Sequence, residues 1–277
     1  MVQCEQAKRE AAAQAAPDLA SFLSPGTTCI GVLSGKGGVG KSVVTALLAT
    51  AFAVAGHAVG VLDADITGPS IPRMFGLTGG PGQLGQHLVP VPTARLGIQV
   101  MSINLLVKRD DDPVIWRGPL MSNTVSQFVS EVHWEGIDYL LVDLPPGTSD
   151  IPLTVMQRLP LAGVVMVTTP QELAGMIVRK AIRMAALLDV RVLGIVQNMV
   201  HAICPHCGER FDLFGAERTP QAAGTSGIPV LGSLPLDPAL AALCDAGEIE
   251  AYRPNPLAGA VDYLAQAARA GTAGAGG

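Results

Sequence analysis

No run of basic residues stands anywhere in these 277 residues, and 18 lysines and arginines face 23 aspartates and glutamates, a net charge of −5. Nucleic acid is bound through clustered positive charge, so the composition argues against it as the main partner. The N-terminal stretch has no apolar core flanked by basic residues, and no export signal is expected. Cysteine is scarce too: five residues, an odd number. Without an export signal they point to a reducing cytoplasm and not to a disulfide framework. Ser42 to Leu62 is uncharged and long enough to raise the question of a membrane span. It contains Gly56-His57 and splits into a helix and a strand, so no membrane role is expected. Internal repeats and linker-like breaks are absent. Alternating strand and helix patterns therefore predict one α/β domain over residues 27–268. An alanine-rich extension (1–26) precedes it and a Gly/Ala-rich flexible tail (269–277) follows.

What is present centres on Gly35-Lys36-Gly37-Gly38-Val39-Gly40-Lys41-Ser42. An apolar strand, Cys29 to Leu33, leads in, and an apolar helix, Val43 to Ala55, leads out. Strand, glycine loop and helix together make a phosphate-binding loop of the Walker A type credible. Glycines let backbone N–H groups turn inward, and the helix start adds a positive end. Lys41 would reach the β- and γ-phosphates and Ser42 would hold Mg²⁺. Lys36 is the extra residue. It is either a solvated loop lysine or an ammonium directed at a phosphate bound by another subunit.

Further along, apolar strands end in chemistry-bearing residues, the place where open α/β sheets bind ligands. Ala58–Leu62 ends at Asp63-Ala64-Asp65, where Asp63 could activate water and Asp65 could help hold Mg²⁺; the alternative is a pair of helix caps. Leu88–Val91 and Ile98–Ile103 read as short strands, Asp110 to Asp112 as a solvated turn, and the stretch after Pro119 as a helix to about Val132. Asp138–Val142 ends at Asp143, a Walker B position for Mg²⁺. Gly147 follows, placed so that its N–H could meet a γ-phosphate and release it on hydrolysis. Gly163–Thr168 is followed by a helix over 172–188. Arg191–Gln197 ends at Asn198, equally readable as a purine-edge partner or a satisfied turn. Ile228–Leu234 ends at Pro235, where backbone groups could flank an adenine. A last amphipathic helix is expected from Asn255-Pro256-Leu257 to about Ala268.

Cys204-Pro205-His206-Cys207-Gly208 is a second chemical centre. Two thiolates on a tight turn suit a soft metal. The spacing is also that of dithiol oxidoreductases, but it lies late in a nucleotide-binding pattern. Structural zinc wants four ligands, and only His201 and His206 lie nearby. Two cysteines from each of two chains would make the Cys₄ set of a [4Fe–4S] cluster, so ligand counting itself points to a homodimer.

Gly35 to Ser42, with its early lysine, resembles the deviant Walker A of the MinD/ParA/nitrogenase-iron-protein class. Five more segments join it, in this order: Asp63 to Pro72, Asp143 to Asp150, Thr168-Thr169-Pro170-Gln171, Asn198-Met199 and Cys204 to Gly208. As a set they resemble the Mrp/ApbC/Nbp-type iron–sulfur cluster carrier ATPases from about Thr28 to Leu264. The resemblance implies a three-layer P-loop NTPase with a mostly parallel central sheet flanked by helices. It implies a cytoplasmic homodimer that hydrolyses ATP and carries a bridging [4Fe–4S] cluster to apo client proteins, with a scaffold protein as a further partner. Lys36 is then the signature lysine acting across the dimer, Asp63 the water-activating aspartate, Asp143 the switch aspartate and Asn198 the residue facing adenine. Cys204 and Cys207 are then cluster ligands. Departures are Val43, where many members have Thr, and a short N-terminal extension in which Cys4 stands alone. A positioning or partition ATPase and a zinc-stabilised P-loop ATPase are the rival readings.

Overall fold

The computed structural model describes residues 23–65, 68, 70–106, 131–147, 152–153, 156–157, 159–170, 176–204, 206–213 and 227–272. Eight strands form one sheet in the order β12-β9-β8-β1-β7-β2-β6-β5. They are β1 (Thr28–Ser34), β2 (Val59–Asp63), β5 (Val91–Pro92), β6 (Gln99–Ser102), β7 (Tyr139–Asp143), β8 (Leu161–Thr168), β9 (Val192–Gln197) and β12 (Val230–Ser233). All neighbours run parallel except β5, which pairs antiparallel with β6 at the edge. Two small hairpins stand apart: β3 (Gly82–Leu84) with β4 (His87–Val89), and β10 (Ala202–Ile203) with β11 (Arg210–Phe211). The helices considered below are α1 (Lys41–Val54), α2 (Ile71–Met74), α3 (Met176–Leu187), α4 (Pro238–Ala246) and α5 (Val261–Thr272).

The central strands are apolar on both faces because both faces are covered, as parallel sheets require. Alternate residues go to opposite sides. Ile30, Val32, Val61, Leu141, Val165 and Val167 join one core, with α1, α4 and α5. Leu33, Leu62, Leu140, Val142, Val164 and Met166 join the other, with Trp134 and with Met184 and Ala185 of α3. Helix α1 has no polar face to spare: Leu47, Leu48 and Phe52 are wholly buried. Truncating one such leucine to alanine costs about 2–5 kcal/mol. That all-round burial holds the N-terminus of α1 rigidly against the C-terminal edge of the sheet.

Expectation and structure part at the margins. The single strand read over Leu88–Val91 is two pieces, because Pro90 cannot donate to a ladder: His87–Val89 turns back onto Gly82–Leu84, and Val91–Pro92 pairs with β6. Gly85, at φ 61°, makes the turn of that hairpin. The last helix begins later, at Val261 after a 3₁₀ turn, and runs past Ala268 to Thr272. The expected acidic turn at 110–112 and most of the helix before Val132 lie outside the described residues, as does the extension before residue 23. No helix among the described residues is long and apolar enough to cross a membrane.

Candidate functional site

The loop from Gly35 to Gly40 joins β1 to α1. Gly40 caps the helix in the left-handed region, φ 82°, and no side chain caps the helix start. The unfilled N–H groups and positive helix end are therefore left for an anion. The loop borders a cavity of about 250 Å³ lined by Gly38, Lys41, Ser42, Asp65, Ser70 and Pro146 among others. That space suits a chain of phosphates.

Sheet register supplies the carboxylates. Asp63 ends β2 and Asp143 ends β7 as direct neighbours across the parallel ladder. Both are buried, at 1% and 0% exposure. Lys41, itself 6% exposed, places Nζ 2.8 Å from Asp143 Oδ2 and 3.5 Å from Asp65 Oδ2. Ser42 Oγ donates to Asp143 Oδ2 at 2.5 Å, and Thr45 Oγ1 donates to Oδ1 at 2.9 Å. Burial still lifts the Asp143 carboxyl above the ordinary range, against the pull of Lys41, Ser42 and Thr45. Asp63 is pushed up to about 8, first by burial and then by the Asp143 charge; Lys41 and the Ile71 and Asp65 N–H groups pull the other way. Its Oδ2 accepts from Ser102 Oγ at 3.2 Å and from Ile71 N at 3.3 Å, and Oδ1 accepts from Asp65 N at 3.2 Å. Asp63 thus ties the start of α2 to the sheet edge.

The donor set fits Mg²⁺: a hydroxyl and carboxylates, hard oxygens on Ser42, Asp65 and Asp143. The Lys41 ammonium lies against both of those carboxylates. Gly147, φ 93°, donates its N–H to Ser34 O at 2.9 Å, so the expected phosphate-sensing group is held by the end of β1. Lys36 is exposed, and its carbonyl accepts from Ser34 Oγ at 2.9 Å. Asn198, read from the sequence as a purine-edge or turn residue, makes a contact that neither reading named. Its Nδ2 donates to Val39 O at 2.9 Å and its Oδ1 accepts from Met199 N at 2.9 Å. Pro235 follows β12 half-buried and does not line the cavity.

The thiol pair sits on the β10–β11 hairpin. Cys204 N–H donates to Glu209 O and Gly208 N–H to Cys204 O, each at 2.9 Å, with Gly208 at φ 72° closing the turn. Both thiols are free, Cys204 half-buried and Cys207 exposed. The N–H groups of Cys207 and His206, then the Cys207 thiol, draw the Cys204 thiol below its ordinary value. A thiol drawn down in this way gives more readily the thiolate that ligates metals. Among the described residues, no group of three or more His, Cys, Asp or Glu could hold a metal ion. Cys29 is buried, and burial lifts its thiol to about 12, as befits a core residue.

Two contributors were not anticipated. Thr45 lies three residues after Ser42, hence on the same helix face, and that spacing was a usable signal. Ser102 carried none, because only the β2–β6 register brings it opposite Asp63.

Residues 27–268 match the ParA-type family described as NUBPL iron-transfer P-loop NTPase. The chain belongs to this family. An iron-sulfur cluster carrier protein of Clostridium perfringens is 47% identical over 237 residues, covering 82% of this chain and 83% of that protein. A solved nucleotide-binding protein of Archaeoglobus fulgidus, in complex with ADP and with cobalt found in it, is 46% identical with a TM-score of 0.76, over 86% of this chain and 93% of that one. The MinD cell division protein of Aquifex aeolicus, 20% identical with a TM-score of 0.59 over 86% of this chain and 97% of its own, shares the fold. The P-loop NTPase architecture and the iron-transfer family agree with the family that the motifs resemble as a set.

Proposed function

We propose that this chain is an ATP-dependent iron–sulfur cluster carrier, working as a homodimer in which Cys204 and Cys207 of each protomer hold a shared [4Fe–4S] cargo for delivery to apo client proteins. One observation carries the reading. A pair of free thiols, one half-buried and one exposed, stands on a hairpin where no set of three or more His, Cys, Asp or Glu among the described residues could hold a metal, in a member of an iron-transfer family. Half a coordination shell is what one partner of a shared site supplies. The names of the curated relatives support the cargo assignment.

The nucleotide chemistry follows from the residues at the sheet edge. Lys41 leaves Asp143 for the phosphates. Asp143, freed of it, would hold Mg²⁺ together with the Ser42 hydroxyl and Asp65. Bound there, the metal would neutralise charge on the β- and γ-phosphates. Asp63, held by Ile71 and Ser102, orients or deprotonates the attacking water. Its raised affinity for a proton suits a general base. Gly147 gives up Ser34 O to sense the γ-phosphate, and Lys36 reaches across the dimer.

The test is anaerobic reconstitution with iron and sulfide, followed by absorbance and counting. The native chain should take up about four iron and four sulfide per dimer, and the Cys204→Ala/Cys207→Ala protein should take up neither. Stoichiometric uptake by the double variant would remove these thiols as ligands. Zinc without sulfide in anaerobically purified protein would replace the cargo reading with a structural metal.

A further inference from the structure

The phosphate loop and the thiol hairpin are joined through one buried amide. Asn198, 5% exposed, leaves β9 with its own N–H on Thr168 O at 2.8 Å. Its Nδ2 holds Val39 O and lies so close over Gly40 that a Cβ there would stand 2.1 Å from it. The bond from Met199 N to Oδ1 fixes which way the amide faces. Met199 then takes φ 58°, a left-handed conformation uncommon outside glycine. From there to Cys204 the backbone is pinned. Val200 N–H donates to Leu234 O at 3.0 Å, His201 O accepts from Leu236 N–H at 2.7 Å, Ala202 pairs with Phe211, and Cys204 N–H reaches Glu209 O.

We infer that Asn198 is a positioning residue that couples filling of the phosphate loop to the setting of the Cys204/Cys207 pair. The inference rests on the proposed reading of the two sites but not on the cargo being a cluster. Val39 and Gly40 belong to the loop that must adjust when Lys41 exchanges Asp143 for phosphate. If the loop moves, Asn198 either follows or leaves a buried carbonyl unpaired. A buried polar group abandoned in this way is costly on the scale of typical coupling between sites. The five residues between Asn198 and Cys204 are anchored to the exit of β12 and to the hairpin. A displacement at Asn198 is therefore passed on instead of being absorbed in slack chain. The glycine at position 40 is required for this contact as well as for its backbone angle.

The experiment uses the full reduced, metal-free chain and a small alkylating agent, with labelling of Cys204 and Cys207 read by peptide mass spectrometry. Rates are compared with and without Mg²⁺ and a non-hydrolysable ATP analogue at saturation. A coupling of ordinary size changes an equilibrium about 5-fold or more, and the native chain should show a rate change of that order at Cys204 or Cys207 and none at Cys244. Asn198→Asp keeps the shape and removes the donor; at nucleotide saturation its thiol rates should no longer respond. Asn198→Ala, which adds no charge, should behave alike and serves if the aspartate variant does not fold. A variant that responds like the native chain overturns the inference and leaves the carrier reading standing. A native chain without response overturns the inference and removes ATP coupling from the carrier reading with it. Variants that no longer bind nucleotide at all would make Asn198 a nucleotide ligand only, again overturning it. Loss of the cargo reading is scored separately, by iron and sulfide in the cysteine variants.

Discussion

Asp63→Asn should make the nucleotide-free protein more resistant to unfolding as pH rises. Burial and the adjacent Asp143 charge place the Asp63 carboxyl at about 8 in the folded chain, against an ordinary value of 3.8. Between those values the folded state holds a proton that the unfolded state has released. Stability therefore falls with rising pH, by at most about 1.4 kcal/mol per unit. The neighbouring Asp143 carboxyl is raised as well and titrates together with Asp63, so the pair shares the slope. From pH 5 to 7 the native chain should then lose about 2 kcal/mol relative to the variant, within a range of roughly 1–3 kcal/mol. The amide is not free of cost. Asp63 accepts from three donors, Asp65 N, Ile71 N and Ser102 Oγ, and an Asn presents one oxygen. About 1 kcal/mol is lost at every pH for the bond that cannot be kept. The variant should therefore match or trail the native chain at pH 5 and exceed it at pH 7. Urea unfolding in EDTA, followed by circular dichroism at pH 5, 6, 7 and 8, measures the difference. A difference that stays flat from pH 5 to 7, or that moves in favour of the native chain, would refute a proton held on Asp63. The same variant should hydrolyse no ATP, since an amide cannot take the proton of water.

Other sites give sharper readings of single contacts. Thr45→Val removes a donor from buried Asp143 Oδ1 without changing shape and should cost about 1–3 kcal/mol in a denaturant titration, with Thr45→Ser restoring most of it. Gly40→Ala needs a left-handed alanine whose Cβ meets Asn198 Nδ2; fluorescent-nucleotide titration should show binding weakened by more than about 10-fold, on the order of the strain such a residue carries, while the far-ultraviolet dichroism stays native. Lys36→Ala should reduce ATP turnover far more than nucleotide affinity, and equal losses would count against action across a dimer. At pH 7 to 8 iodoacetamide should label Cys204 well ahead of Cys244, because neighbouring N–H groups acidify the first while burial and Asp245 raise the second.

What the sequence disclosed, and what it did not, divides by the range of the interaction. The glycine loop, Asp63 and Asp143 could be located because each is announced locally: an apolar run of strand length stops, and a residue with chemistry stands at its end; the paired cysteines are announced by their own spacing. β1, β2, β7, β8 and β9 all came out within two residues of their expected bounds for that reason. Pro90 was misjudged because a proline inside a short apolar run ends one pairing and permits another, and only the hairpin at Gly85 decides which. Ser102 was invisible because its role depends on which strand lies beside β2. Asn198 is the instructive case. Its place at a strand end was plain, and two local roles for it were weighed equally. Its side chain also holds Val39 O, a partner brought to it by the fold from 159 positions away in the chain. A polar side chain at the C-terminal edge of a parallel sheet faces the loops of every neighbouring strand as well as the ligand. Where one loop is a phosphate loop and the segment beyond the side chain carries the thiols, the contact that sequence cannot see is the one through which the two sites can act on each other.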